Sequence, residues 1–297
     1  MNKQSANKAF SLIELSVVVI IVGVLAAGIM SGKRMINQAA LRSAQSLTKS
    51  SAINSIPDLA LWLEPTLDES ITGVLAGNNL SNNDLVSSWN DISGNKINLS
   101  QAAGANQPTY KTAGINSLPA LSFDGSSDVI YSTIVPINAG NGKYTMVAVW
   151  KSVTVPDSIL IAQKPNTSTT GSDATIWLNT TNLAMNGYSD NATGIGTIAA
   201  GGTYIYAMVV DNSNTANNIS GYLNSNTKSQ QSSTNISGLS IGGDVISVGA
   251  RIDSVGNYSF YSNVLLSEII IFNRALKPSE VILINNYLSK KYNIVVS

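Results

Sequence analysis

The chain has 297 residues, with Lys+Arg and Asp+Glu at 17 each, a formal net charge of zero and only 11% charged residues. That balance disfavours affinity built on phosphate neutralisation, so no nucleic-acid partner is expected. The absence of Cys and His removes disulfides, thiolate nucleophiles, imidazole bases and zinc sites with nitrogen or sulfur ligands, which leaves any catalysis to carboxylates, Lys, Tyr or Ser.

Leu12 to Met30 is an almost unbroken apolar run, LIELSVVVIIVGVLAAGIM. As a helix it would extend about 28 Å, close to the thickness of a bilayer core. Lys3 and Lys8 precede it and Lys33 and Arg34 follow, so flanking charge gives only a slight preference for a cytoplasmic N-terminus. The small residues Ala26, Ala27 and Gly28 would also suit a cleaved signal peptide, but that reading leaves Glu14 unexplained. A carboxylate inside an apolar membrane segment costs up to roughly 3 kcal/mol and marks a specific partner.

Lys8-Ala9-Phe10-Ser11-Leu12-Ile13-Glu14-Leu15 resembles the cleavage and methylation segment of type IV pilins and type II secretion pseudopilins. The resemblance implies a leader of residues 1–9, cut between Ala9 and Phe10 by a membrane prepilin peptidase. Phe10 would then carry an N-methylated, cationic α-amine, and Glu14 of one subunit would pair with that amine on its neighbour. Two unit charges 4 Å apart at an effective dielectric of 20 attract by about 4 kcal/mol, enough to offset the buried carboxylate. The sequence departs from the family pattern in having Ala9 where Gly is usual before the cut, and in lacking a mid-helix proline. The GxxxG pair Gly28 and Gly32 permits close helix contact in lipid, but in a pilin-like helix the spacing is expected to be incidental.

From Lys33 to Ile56 there is no Gly or Pro, and Ile36, Ala40, Ala44 and Leu47 form a helical stripe. The membrane helix is therefore expected to continue outward until Pro57 ends it. This divides the chain into a leader (1–9), a helical segment (10–57, transmembrane over 12–30) and one domain over 58–297.

Beyond Asp58, Ser, Asn, Gly and Thr separate short apolar runs at intervals typical of β-sandwiches. Strands are predicted at Ala120–Phe123, Val129–Ile134, Tyr144–Lys151, Ile159–Gln163, Tyr204–Val210, Gly221–Asn224 and Ser267–Asn273. Their imperfect alternation suits strands covered on both faces, and the run Ile269–Phe272 predicts a central one. A final helix is predicted over Pro278–Tyr292: Pro lies in its first turn, Glu280 near the positive dipole end and Lys290 and Lys291 in the last turn. Val281, Ile284 and Leu288 would face the sheets. Leu61-Trp62-Leu63, Trp89-Asn90-Asp91-Ile92-Ser93-Gly94-Asn95, Leu121-Ser122-Phe123-Asp124-Gly125-Ser126 and Glu268 to Leu276 are similar to motifs of the laminin-G-like, concanavalin-A-like jelly roll of bacterial surface proteins. The fold class is thus mainly β: a long N-terminal helix, an antiparallel sandwich and a C-terminal helix.

That second resemblance implies a binding module, often for glycans or other surface ligands and in some members with Ca²⁺. Asp91, Asp124, Asp211 and Asp253 are the candidate ligands for such an ion, against the plainer reading that Asp beside Gly holds a turn. No other cofactor is implied. Trp177, Tyr188, Tyr258 and Tyr261 lie among polar loops where a ring could stack on a sugar, whereas Trp62 and Trp150 are expected in the core.

The leading functional expectation is a non-enzymatic minor pilin or pseudopilin. Such a subunit would be held in the bacterial inner membrane by a single span before assembly, then display its head from a periplasmic or extracellular filament, with the peptidase and other pilin subunits as partners. One alternative is a membrane-tethered binding protein that never polymerises. Another is a glycan-active enzyme using two carboxylates, although the close Glu-x-Asp-x-x-Glu spacing of one such family is absent and Glu64, Asp68 and Glu69 fall near the start of the domain.

Overall fold

The computed structural model describes residues 12–73, 80–140, 142–155, 157–164, 172–186, 191–213, 219–228, 230–231, 239–252 and 257–297. Helix α1 runs over Leu12–Lys49. It ends eight residues before Pro57, earlier than the proline predicted. The stop is chemical: Ser50 turns its hydroxyl back to the Ser46 carbonyl (2.8 Å), and Ser51 takes an extended conformation and caps a short 3₁₀ helix, Ala52–Ser55, by accepting from the Ile53 N–H. Serines compete for backbone partners in this way and favour caps and turns over helix interiors.

Two large antiparallel sheets follow, with a two-stranded ribbon of Arg251–Ile252 and Tyr258–Ser259 beside them. Across the first, the strands run Gln230–Gln231, Ile219–Leu223, Thr203–Asp211, Lys143–Ser152, Asn263–Phe272, Leu118–Asp124 and Thr109–Ile115. Leu59–Leu63 pairs with Ile269–Phe272, sharing that edge of the strand with Leu118–Asp124, which pairs with Asn263–Leu266. The second sheet runs Asn191–Thr197, Asn182–Asn186, Ala174–Asn179, Ser158–Lys164, Val245–Val248, Ile130–Ser132, Leu99–Ser100, Val86–Trp89 and Ile71–Gly73. The predicted strands are present with shifted ends, the largest shift being at Asn263–Phe272, which begins four residues earlier than expected.

The first sheet is covered twice. Ile269 and Ile271 point into the core between the sheets with Trp150, Met146 and Leu121. Ile270 and Phe272 point the other way, into a second core roofed by helix α2 (Pro278–Tyr292) through Val281, Ile284 and Leu288. This double burial is why the strand reads as continuous rather than alternating. Trp62, Trp89 and Trp150 are all fully buried. α2 has the predicted bounds, with Pro278 at its start and Glu280 closing a capping box onto the Lys277 backbone N–H (2.8 Å).

The strand Asn263–Phe272 is irregular, slipping register between Leu266 and Glu268 against Lys143–Ser152. Leu266 and Ile269 both face the inner core, which strict alternation over three positions would forbid. The extra residue, Ser267, is absorbed as a bulge with its hydroxyl on the Pro119 carbonyl (2.8 Å). Glu268 is thereby turned outward, under α2.

Candidate functional site

Every residue from Leu12 to Met30 is exposed. Leu12 is 85% accessible and Ile20 64%, so this surface is built for a covering that the chain's own head does not supply. The helix is long and apolar enough to cross a bilayer. Glu14 sits in its first turn, where the helix dipole favours an anion. Ala9 and Phe10 lie outside the described residues.

The other end of α1 meets the head. Ala44 and Thr48 are buried, Ala40 is partly so, and Gln45 Nε2 donates to the Thr66 carbonyl at 2.8 Å. The docking face keeps Ala40, Ala44 and the half-buried Leu47 of the predicted stripe and adds Leu41 and Thr48, whereas Ile36 is exposed at 67% accessibility. Thr48 continues the Ala40 and Ala44 row by one more turn, a polar docking position that an apolar pattern does not mark.

Thr48 docks because a polar network lies beneath it. Its hydroxyl shares a hydrogen bond with Tyr287 (3.1 Å), and Tyr287 donates to Glu268 Oε1 (3.0 Å). Glu268 also accepts from the Trp62 indole N–H, the Tyr292 hydroxyl and Lys291 Nζ, each at 2.8 Å. Lys291 Nζ makes a second ion pair to Glu64 Oε2 at 2.8 Å, and all three charged side chains are sealed from solvent. Glu64 is completed by the Leu67 N–H (2.8 Å), the Thr66 N–H (3.0 Å) and the Thr66 hydroxyl. Burial alone would lower the Lys291 pKa, but Glu268 and Glu64 outweigh it and hold the ammonium form. Burial, reinforced by Glu268, keeps Tyr287 and Tyr292 protonated as donors. The sequence predicts Lys291 only as a dipole-end cation, and no spacing signals the network, since Glu64 and Lys291 are 227 positions apart.

The other head residues that the sequence predicts as ligands are not gathered into one site. Asp91 accepts from the backbone of Trp62, Ser93 and Ile97 and from the Ser93 hydroxyl. Asp124 accepts from Ser126, Ser127 and the Asp128 N–H; burial opposes its ionisation, but these bonds prevail and hold it well below the usual carboxylate range. Asp211 accepts from Ser213 and pairs with Lys143 at 3.2 Å. Among the described residues no three acidic groups converge as a metal cage. Trp177 is half-buried with its indole N–H on Asp157, and Tyr258 and Tyr261 pack partly against Val129, Val245 and Ile252. Tyr188 and Asp253 lie outside the described residues.

An exposed apolar helix docked through hydrogen bonds and apolar packing onto a two-sheet head defines a stalk-and-head protein, its head a jelly-roll sandwich. Residues 4–30 match the family model described as "Prokaryotic N-terminal methylation motif", the N-terminal motif of type IV pilins. No curated protein matches the chain. The fold is similar to domain 4 of AbnA, an extracellular GH43 arabinanase of Geobacillus stearothermophilus solved with arabinotriose. That similarity has a TM-score of 0.50 and 16% identity and covers 76% of this chain and 97% of that one. An arabinofuranosidase complexed with arabinofuranosyl-α-1,2-xylobiose gives a TM-score of 0.56 at 14% identity, over 79% of this chain and 59% of the other. The binding domain of botulinum neurotoxin serotype G gives 0.51 at 10%, over 78% and 51%. The chain thus spans little more than half the length of the latter two.

Proposed function

We propose that this chain is a minor pilin or pseudopilin-like filament subunit that carries a recognition head. The observation that carries the reading is the helix: a methylation motif that takes in an exposed apolar stretch, with Glu14 in its first turn and its far end docked on the head. Processing between Ala9 and Phe10 leaves the apolar helix on the mature protein, and Glu14 pairs with the methylated amine of an adjacent copy. The protein is held in the membrane until assembly and exposes its head outside.

The head is a binding module rather than a hydrolase. Glu64 and Glu268 are close enough to share one ammonium, as catalytic carboxylates can be, but both are sealed from solvent and all four of their oxygens are engaged. Neither can reach a glycosidic bond. Structural neighbours solved with arabinose-containing ligands make a carbohydrate the first class of ligand to examine.

The reading is tested by N-terminal mass analysis of protein from cells with and without prepilin peptidase, alongside Glu14→Ala. A chain beginning at methylated Phe10 only when the peptidase is present, with Glu14→Ala folded but excluded from filaments, is the expected result. An intact Met1 in peptidase-positive cells, or normal incorporation of Glu14→Ala, refutes it.

A further inference from the structure

At the end of the sandwich where the chain enters from the stalk, a cavity of about 340 Å³ has a mainly polar lining of Asp58, Asn95, Asn138 and Asn273, with Ile97 and Pro136 largely covered beneath them. Its size falls at the lower end of small-ligand sites. We propose that this cavity is a binding site for one neutral, polyhydroxylated ring, a single sugar residue of a larger glycan. The inference rests on the reading of the head as a carbohydrate-recognition module.

The lining has the chemistry such a ring requires. The carboxamides at the rim can donate to and accept from vicinal hydroxyls, and the carboxylate can accept from them. Among the lining residues Asp58 is the sole charged group, and it is already paired with Arg274 Nε at 3.5 Å. An anionic ligand would meet a carboxylate, and a cation would have to compete with the guanidinium. Neutral hydroxyls remain.

The walls are also held before any ligand arrives. Buried Gln163 clamps Ile137 from both sides, accepting from its N–H at 2.9 Å and donating to its carbonyl at 2.7 Å, and donates again to the Gly242 carbonyl at 3.0 Å. The next residue, Asn138, gives its backbone N–H to Asn273 Oδ1 at 3.1 Å. Asn273 is fixed by donating its own N–H to the Asp58 carbonyl at 2.9 Å. Asn95 spends its amide hydrogens on the Leu59 carbonyl (2.8 Å), the Ala60 carbonyl (3.1 Å) and the Ser93 hydroxyl (3.0 Å), which leaves its side-chain oxygen as an acceptor at the rim. The exposed Asn138 side chain lies on a backbone that is already immobilised, so little ordering cost falls on binding.

The test is saturation-transfer NMR on the full chain in detergent micelles. The probes are arabinose, galactose, glucose, mannose and N-acetylglucosamine, with glucuronate and sialic acid as anionic comparisons. At least one neutral sugar should show transfer at millimolar concentration, more strongly than either anion, and Asn138→Ala and Asp58→Asn should each weaken it tenfold or more. Asn138→Ala keeps the backbone contact to Asn273, and an unchanged melting temperature confirms that the fold survives. Absence of transfer to every neutral sugar, equal transfer to the anions, or binding indifferent to both variants overturns the site. Filament incorporation is scored on the same variants: an unprocessed N-terminus defeats the pilin reading whatever the sugars do, while failed sugar binding with normal incorporation defeats only this site.

Discussion

Thr48 Oγ1 lies 3.1 Å from the Tyr287 hydroxyl, so the last turn of the stalk helix and the C-terminal helix meet through two side chains that are 239 positions apart. Behind Tyr287 stand Glu268, Lys291 and Glu64, all sealed from solvent. Removing one member of such a group leaves an uncompensated buried charge, which costs about 3 to 5 kcal/mol, whereas replacing the whole group can be close to neutral. Lys291→Met should therefore lower the melting temperature of the chain by on the order of 10 °C. Adding Glu64→Gln and Glu268→Gln to Lys291→Met should recover at least half of that loss. A single Lys291→Met that melts with the wild type would show that the triad does not stabilise the head.

A second prediction concerns pH. Burial, and then the nearby Asp124, pushes the Asp128 carboxyl up to about 7, against a bond from the Asp124 N–H that pulls it down. The fold thus holds a proton that the unfolded chain releases at the ordinary aspartate pKa of 3.8. The contribution of Asp128 is complete below that value and disappears as pH rises toward 7. Glu280 acts in the opposite sense: hydrogen bonds from Arg274 lead in lowering it to about 2. Its contribution is present above the ordinary glutamate value of 4.5 and is lost as acid carries the pH down toward 2. Denaturant unfolding from pH 4 to 8 should show Asp128→Asn with a shallower decline than wild type above pH 5. Parallel curves would sink the assignment.

Much of the architecture is legible in the residues alone. Pro278, Glu280 and Lys290 with Lys291 announce the final helix because capping and dipole chemistry is local, and Ile269 to Phe272 announces a strand with two dry faces. The joint is hidden for the opposite reason. Glu268 reaches it only through the bulge at Ser267, which reverses the strand's phase, and a bulge leaves no mark in an apolar run. Likewise the early end of α1 depends on serines choosing backbone partners, a competition that a search for proline overlooks. The rim asparagines near Asp58 come from separate loops and share no pattern at all.

Gly249 allows a sharp test of inter-sheet packing. Its backbone has φ +87°, and a Cβ there would overlap the Phe123 ring. The residue also donates to the Leu160 carbonyl at 3.1 Å and accepts from the Ser262 N–H at 2.7 Å, so it cannot shift without breaking both contacts. Gly249→Ala combines a left-handed penalty with overpacking, together about 3 kcal/mol. Joining Phe123→Leu to it should restore part of the loss by opening room for the methyl group. If the double variant is simply the sum of the two single losses, the clash with Phe123 is not the cause.

The free and docked stretches of α1 have separate roles. Ala44 is 1% accessible against the head, whereas Ile36, two turns earlier, is 67% accessible. Ala44→Leu should overpack the joint at a cost of about 1 to 3 kcal/mol, while Ile36→Ser should change the stability of the isolated chain by no more than roughly 0.5 kcal/mol. In a filament the order reverses, because the exposed stretch of α1 that precedes the docked turns is the one a neighbouring copy would cover. Ile36→Ser should then reduce the amount of subunit recovered in sheared filaments while leaving the melting curve in detergent unchanged. Equal recovery of Ile36→Ser and wild type would mean that this stretch stays uncovered in the assembly, and the helix would serve as an anchor alone.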